Sequence, residues 1–146
     1  MNPNMILYPM FAMFLLVAIV LVRLGTLRLG AINRREVRAK YYRHYLQDGS
    51  ETDEMVFTSR NFINLFEMPV LFFTISILIY VTNSVDLFFV VLAWIYVAGR
   101  YLHTLLHVTS NVVQRRFFVY NSTNVLLLLM WGKLLYDLIL TGGGGI

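Results

Sequence analysis

The sequence predicts an all-α protein, a bundle of four transmembrane helices forming one domain over residues 1–146. Three observations carry that reading. Hydrophobic residues make up 58% of the chain and charged residues 14%, against about 45–50% and about 25% in soluble domains. Mean hydropathy is +0.66. Four apolar runs, at residues 5–27, 62–82, 87–108 and 117–140, follow one another through the chain. At ~1.5 Å rise per residue each run is long enough to cross a hydrocarbon layer of ~30 Å. One such run is compatible with a buried soluble helix; four in succession are not. The chain has no cysteine, which excludes a disulfide framework and a thiolate metal site.

The first helix is expected at about 5–30. No basic residue precedes it, its apolar core is too long for a signal peptide, and Arg23 stands where a small-residue cleavage site would be, so it reads as a retained helix. The connector AINRREVRAKYYRHYLQDGSETDE is basic, then acidic. Asp48-Gly49-Ser50 predicts a turn, and Thr52 or Thr58 a helix start. The second helix is expected at about 57–82, with a kink at Pro69, which removes one N–H and frees the carbonyl of Leu65. After TNSVD come a third helix at about 86–112 and a fourth at about 115–141.

The charges predict a topology. Arg28, Arg34, Arg35, Arg38, Lys40 and Arg43 lie between the first two helices, and Arg115 and Arg116 between the last two. MNPN, TNSVD and the tail TGGGGI carry no basic residue. Both basic connectors are therefore expected in the cytoplasm and both termini on the opposite side. The basic cluster suits anionic lipid headgroups. It lacks the interleaved aromatic platform of a nucleic-acid binder, so no nucleic-acid partner is expected.

Polar residues inside the helices collect at one depth. Arg60, Asn64 and Glu67 recur at i, i+4 and i+7 in the second helix, and Arg100, His103 and His107 at i, i+3 and i+7 in the third. Arg28 closes the first helix, while Arg116 and Tyr120 open the fourth. A charge at mid-membrane costs about 2.5–3.5 kcal/mol on insertion scales. The economical arrangement is a polar chamber with Glu67 paired to an arginine. Such a chamber suits an anionic, partly polar molecule beside lipid, because arginine forks match carboxylates. It does not span the bundle, which argues against transport. His103 and His107 are at i, i+4, but no second carboxylate accompanies them, so no metal is expected. Lys133 and Asp137 predict a local ion pair near the far interface. Asn121 and Asn124 are expected to bond across helices, and Trp94 and Trp131 to serve in packing and interface belts.

RNFINLFEMP, GRYLH and RFFVY, in that order, resemble the MAPEG family, the membrane-associated proteins of eicosanoid and glutathione metabolism. TLRL resembles the basic end of that family's first helix, and LHVTSNVVQRRF is similar to uncharacterised bacterial members. The resemblance implies a homotrimer in a bacterial inner membrane, with glutathione between subunits and a lipophilic small molecule as second substrate. It places glutathione on Arg28, Asn64, Glu67, Arg100, His103 and His107, and the catalytic groups at Arg116 and Tyr120. The implied activity is glutathione-dependent transferase or peroxidase chemistry. Ile63 stands where the catalytic eicosanoid members carry arginine, and His107 where they carry tyrosine. These departures motivate an alternative, a non-catalytic membrane protein that binds lipid or another amphiphile.

Overall fold

The computed structural model describes residues 1–37, 51–108 and 113–142. A 3-10 turn, Pro3–Ile6, leads into α1, Leu7–Asn33. Then come α2, Asp53–Asn64, and α3, Met68–Val81. The last two helices are α4, Leu87–Val108, and α5, Val113–Gly142. Four stretches are long and apolar enough to cross a membrane: Pro3–Asn33, Asp53–Val81, Leu87–His107 and Val113–Leu140. The turn expected at Asp48-Gly49-Ser50, the end of the third helix at 109–112 and the tail from 143 lie outside the described residues.

The second span differs from the expectation of one kinked helix over 57–82. It is two helices, with Leu65 capping α2 and Glu67 capping α3. Pro69 lies in the first turn of α3. There its missing N–H costs nothing and its fixed φ suits the turn. The proline therefore begins a helix instead of bending one. Glu67 departs from helical geometry at the junction, with φ −87° and ψ −97°. The start of α2 is set by Thr52, whose hydroxyl accepts from the Met55 N–H, with Asp53 and Glu54 in the first turn.

The exits of α1 and α3 are alike. Arg35 and Asn83 have φ of 58° and 54°. Glu36 N–H donates to Ala31 C=O and Ser84 N–H to Ile79 C=O, both at 3.0 Å, closing Schellman turns. Asparagine is a common left-handed stop; arginine is not, so only the second exit is written in its residue type.

Apolar faces of all four spans meet in one core that includes Met13, Leu16, Phe72, Ile75, Phe89, Tyr96 and Met130. The Phe72 and Tyr96 rings stack at 4.6 Å. Tyr101 donates to the Ala12 carbonyl at 2.8 Å, joining α4 to α1. Between α4 and α5 the fit is close: a Cβ on Gly99 would overlap Thr123 Cγ2. Thr123 is buried and donates to the Tyr120 carbonyl at 2.8 Å. Asn121 also bonds within its own helix, to Phe117 C=O, and Asn124 Oδ1 has no hydrogen-bond partner among the described residues. Among the described residues, neither asparagine bonds across helices.

At the far end Lys133 forms the local pair with Asp137 at 2.6 Å, and a second one with Asp86 at 2.8 Å. Its ammonium also lies 4.4 Å from the Phe89 ring centroid. Asp86 caps α4 as well, accepting from the Phe89 N–H at 2.9 Å. Burial pushes the Asp86 carboxyl upward, but the hydrogen bonds from Lys133 and Phe89 outweigh it and hold the group below its ordinary range. An acid depressed in the folded state adds stability above its unfolded value, ~3.9. That stability is lost as pH falls through the folded value. Detergent-solubilised protein should therefore lose thermal midpoint as pH drops below ~4. The part of that loss due to Asp86 should vanish in Asp86→Asn, as measured by circular dichroism.

Candidate functional site

The break in the second span, the last turns of α4 and the first turns of α5 line an open pocket of about 230 Å³ that carries charged and apolar side chains. Asn64 comes from the end of α2 and Glu67 from the cap of α3. His103 comes from α4, and Arg116 and Tyr120 from α5. Val113 and Phe117 add an apolar rim that no polar pattern in the sequence marked. The spacing explains the convergence. Arg116 and Tyr120 are at i, i+4 on one face of α5, and the break lets Asn64 and Glu67 line the same pocket from different helices.

Charge is divided within it. Glu67 is exposed and makes no ion pair among the described residues, so the expected Glu67–arginine pair is not formed there. The Glu67 carboxylate and the Arg116 guanidinium thus line the same pocket. The His103 and Tyr120 rings are 5.7 Å apart.

Three residues assigned to the site from sequence, Arg28, Arg100 and His107, do not line this pocket, and neither does Arg60 on the same helical face as Asn64 and Glu67. Arg60 is exposed. Arg28 opens on a separate groove of about 340 Å³ between α1 and α2, with Ser59, Phe62 and Ile63. Its Nη2 donates to Ser59 Oγ at 3.4 Å, and its Nε lies 3.9 Å from Glu51 Oε1. His107 is buried, one turn beyond His103, with Phe57 edge-on at 6.5 Å. Helical spacing put it on the His103 side, but α2 packs over it.

Arg100 lies one side chain behind the pocket instead of lining it. It is 1% exposed. Nε donates to Tyr96 Oη at 3.1 Å, and Cζ sits 5.3 Å and 5.0 Å from the Tyr96 and Tyr120 ring centroids. Nη1 and Nη2 have no hydrogen-bond partner among the described residues. Cation–π contacts contribute about 0.5–2 kcal/mol each. Two of them offset much of the ~2.5–3.5 kcal/mol insertion cost of the charge. This layered placement was not legible in the sequence, which showed a polar residue but not its cover.

A second, part-buried polar seam joins α2 to α4, where Thr104 donates to Asn61 Oδ1 at 3.3 Å. Among the described residues no group of three or more metal-ligating side chains exists.

Fold and site together define a four-span α-helical membrane protein with a charged pocket confined to one end of the bundle. The sequence model of the MAPEG family matches residues 6–136, nearly the whole chain. The chain belongs to the MAPEG family. No curated protein and no solved structure matches it.

Proposed function

We propose that this protein is a glutathione-dependent transferase or peroxidase acting on lipophilic electrophiles. One observation carries the reading: Asn64, Glu67, His103, Arg116 and Tyr120, five positions that the family resemblance ties to glutathione chemistry, line a single pocket. The pocket's divided charge suits a zwitterionic tripeptide. Glu67 would take the ammonium and Asn64 and His103 would hold polar backbone groups. Arg116 would stabilise the thiolate, with Tyr120 donating beside it. The thiol proton leaves through the open mouth. In the transferase reaction the sulfur lone pair forms the S–C bond, and the leaving group departs with its electron pair.

The homotrimer is part of this reading. Arg28 and its groove lie apart from the Glu67–Arg116 pocket on one chain. A site shared between copies gives each chain two separate halves of this kind. The basic connectors would then face the cytoplasm, in a bacterial inner membrane. Calorimetry on detergent-purified protein is expected to detect glutathione at millimolar concentration or below. Glu67→Gln should weaken it about tenfold, the loss of one charge-assisted contact of ~1.5 kcal/mol. No heat of binding at millimolar glutathione would overturn the reading.

Ile63 supports the second reading, a protein that binds an amphiphile without turning it over. It is 56% exposed and lines the Arg28 groove with an apolar surface. Turnover of a chromogenic electrophile with glutathione rules that reading out.

A further inference from the structure

Among the described residues, the buried guanidinium of Arg100 has no carboxylate partner and does not line the pocket. We propose that Arg100 is an electrostatic positioning residue: acting from behind Tyr120, it biases the pocket toward a ligand that carries negative charge at the sulfur position. This rests on the glutathione reading and assigns Arg100 a role other than touching the tripeptide.

Three observations carry it. First, Arg100 is held in place. Nε is bonded to Tyr96 Oη, and the Tyr96 ring is itself stacked on Phe72. The charge is therefore anchored to the core, with little freedom to swing into the pocket. Second, no described residue neutralises its charge at short range: among the described residues no ion pair includes Arg100, and neither terminal nitrogen has an acceptor. Third, what separates it from the pocket is an aromatic face. Cζ lies 5.0 Å from the centroid of Tyr120, which lines the pocket beside Arg116. A ring, in place of water, separates the cation from the pocket wall, so its field reaches the pocket less screened than it would through bulk water. The same contact holds the Tyr120 ring by its face and fixes where its hydroxyl points. The pocket thus has two cationic influences of different kinds: Arg116 in its wall, able to touch the ligand, and Arg100 beneath, acting at a distance.

A residue needed only for packing would change all ligands alike. A residue acting through charge changes them according to charge. The experiment compares two analogues by competition against glutathione on the detergent-solubilised protein: glutathione sulfonate, permanently anionic at the sulfur position, and S-methylglutathione, neutral there. Wild type is expected to prefer the sulfonate. Arg100→Met should lower that preference roughly tenfold, the scale of one unit charge ~10 Å away at an effective dielectric of ~20. Binding of S-methylglutathione should stay within about threefold, because the pocket wall is intact. Arg100→Lys, which keeps the charge and loses the fork, should retain most of the preference. Arg100→Met is expected to fold, because replacing a buried charge with an apolar side chain of similar volume is commonly tolerated. If it does not fold, Tyr96→Phe, which frees the anchor of Arg100, is expected to lower the same preference. Equal loss of both analogues in Arg100→Met, or an unchanged preference, overturns the role of Arg100 and leaves the glutathione reading standing. Equal loss of preference in Arg100→Met and Arg100→Lys also overturns it, since geometry and not charge would then be responsible. Wild type binding neither analogue nor glutathione overturns both.

Discussion

Arg116→Ala is expected to lower kcat/KM for glutathione transfer by about 10²–10³, the loss found when one preorganised donor to a developing charge is removed. That corresponds to about 2.7–4 kcal/mol of transition-state stabilisation. Arg116 is half-buried in the pocket wall with Asn64, Glu67, His103 and Tyr120 around it. Among the described residues, no other arginine lines that pocket. Most of the loss should fall on kcat, because the reacting sulfur gains from the charge most when it attacks. Glutathione affinity should fall less, since Glu67, Asn64 and His103 remain. Arg116→Lys should recover part of the rate, restoring a charge without the planar fork. Steady-state kinetics with a chromogenic electrophile measure this. A full rate in Arg116→Ala would remove thiolate stabilisation from its assigned place.

Gly99→Ala should give a large loss of stability, about 1–3 kcal/mol, as for other overpacked interiors. The added methyl meets Thr123 Cγ2, and Thr123 cannot turn away freely. It is buried, and its hydroxyl is committed to the Tyr120 carbonyl. The strain is therefore passed along α5 toward Tyr120, next to the pocket. The double variant Gly99→Ala/Thr123→Ser removes Cγ2, keeps the hydroxyl, and should recover most of the loss. Thermal unfolding of both variants in the same detergent decides the matter. A single variant as stable as wild type would show that the helices separate without cost.

Much of this was readable from the residues, and the limits have physical causes. Four apolar runs with sparse charge leave few alternatives to four spans, because lipid forces each backbone to satisfy itself within a helix. The shared depth of Asn64, Glu67, His103, Arg116 and Tyr120 follows from helical rise alone. What periodicity cannot supply is which side chain covers another. Arg100 and His103 are three residues apart, yet one lies behind Tyr120 and the other in the pocket wall. Pro69 was ambiguous for a different reason: a proline fits a helix start and a helix kink, and the two differ only in where the preceding residues turn. The Asp86–Lys133 bridge joins residues far apart in sequence, so only the i, i+4 half of that cluster could be foreseen.

The interruption at Leu65–Glu67 has a mechanical meaning for a protein living in lipid. Bilayers vary in thickness, and helices respond mainly by changing tilt. An unbroken span would carry such a tilt along its whole length and shift every side chain on it. Here α2 is tied to α1 through Arg23–Glu54 at 2.9 Å and Arg28–Ser59 at 3.4 Å. α3 meets it at a joint. Changes in the α3 half of the span can be absorbed at that joint, so Asn64 keeps its depth while the membrane around α3 thickens or thins.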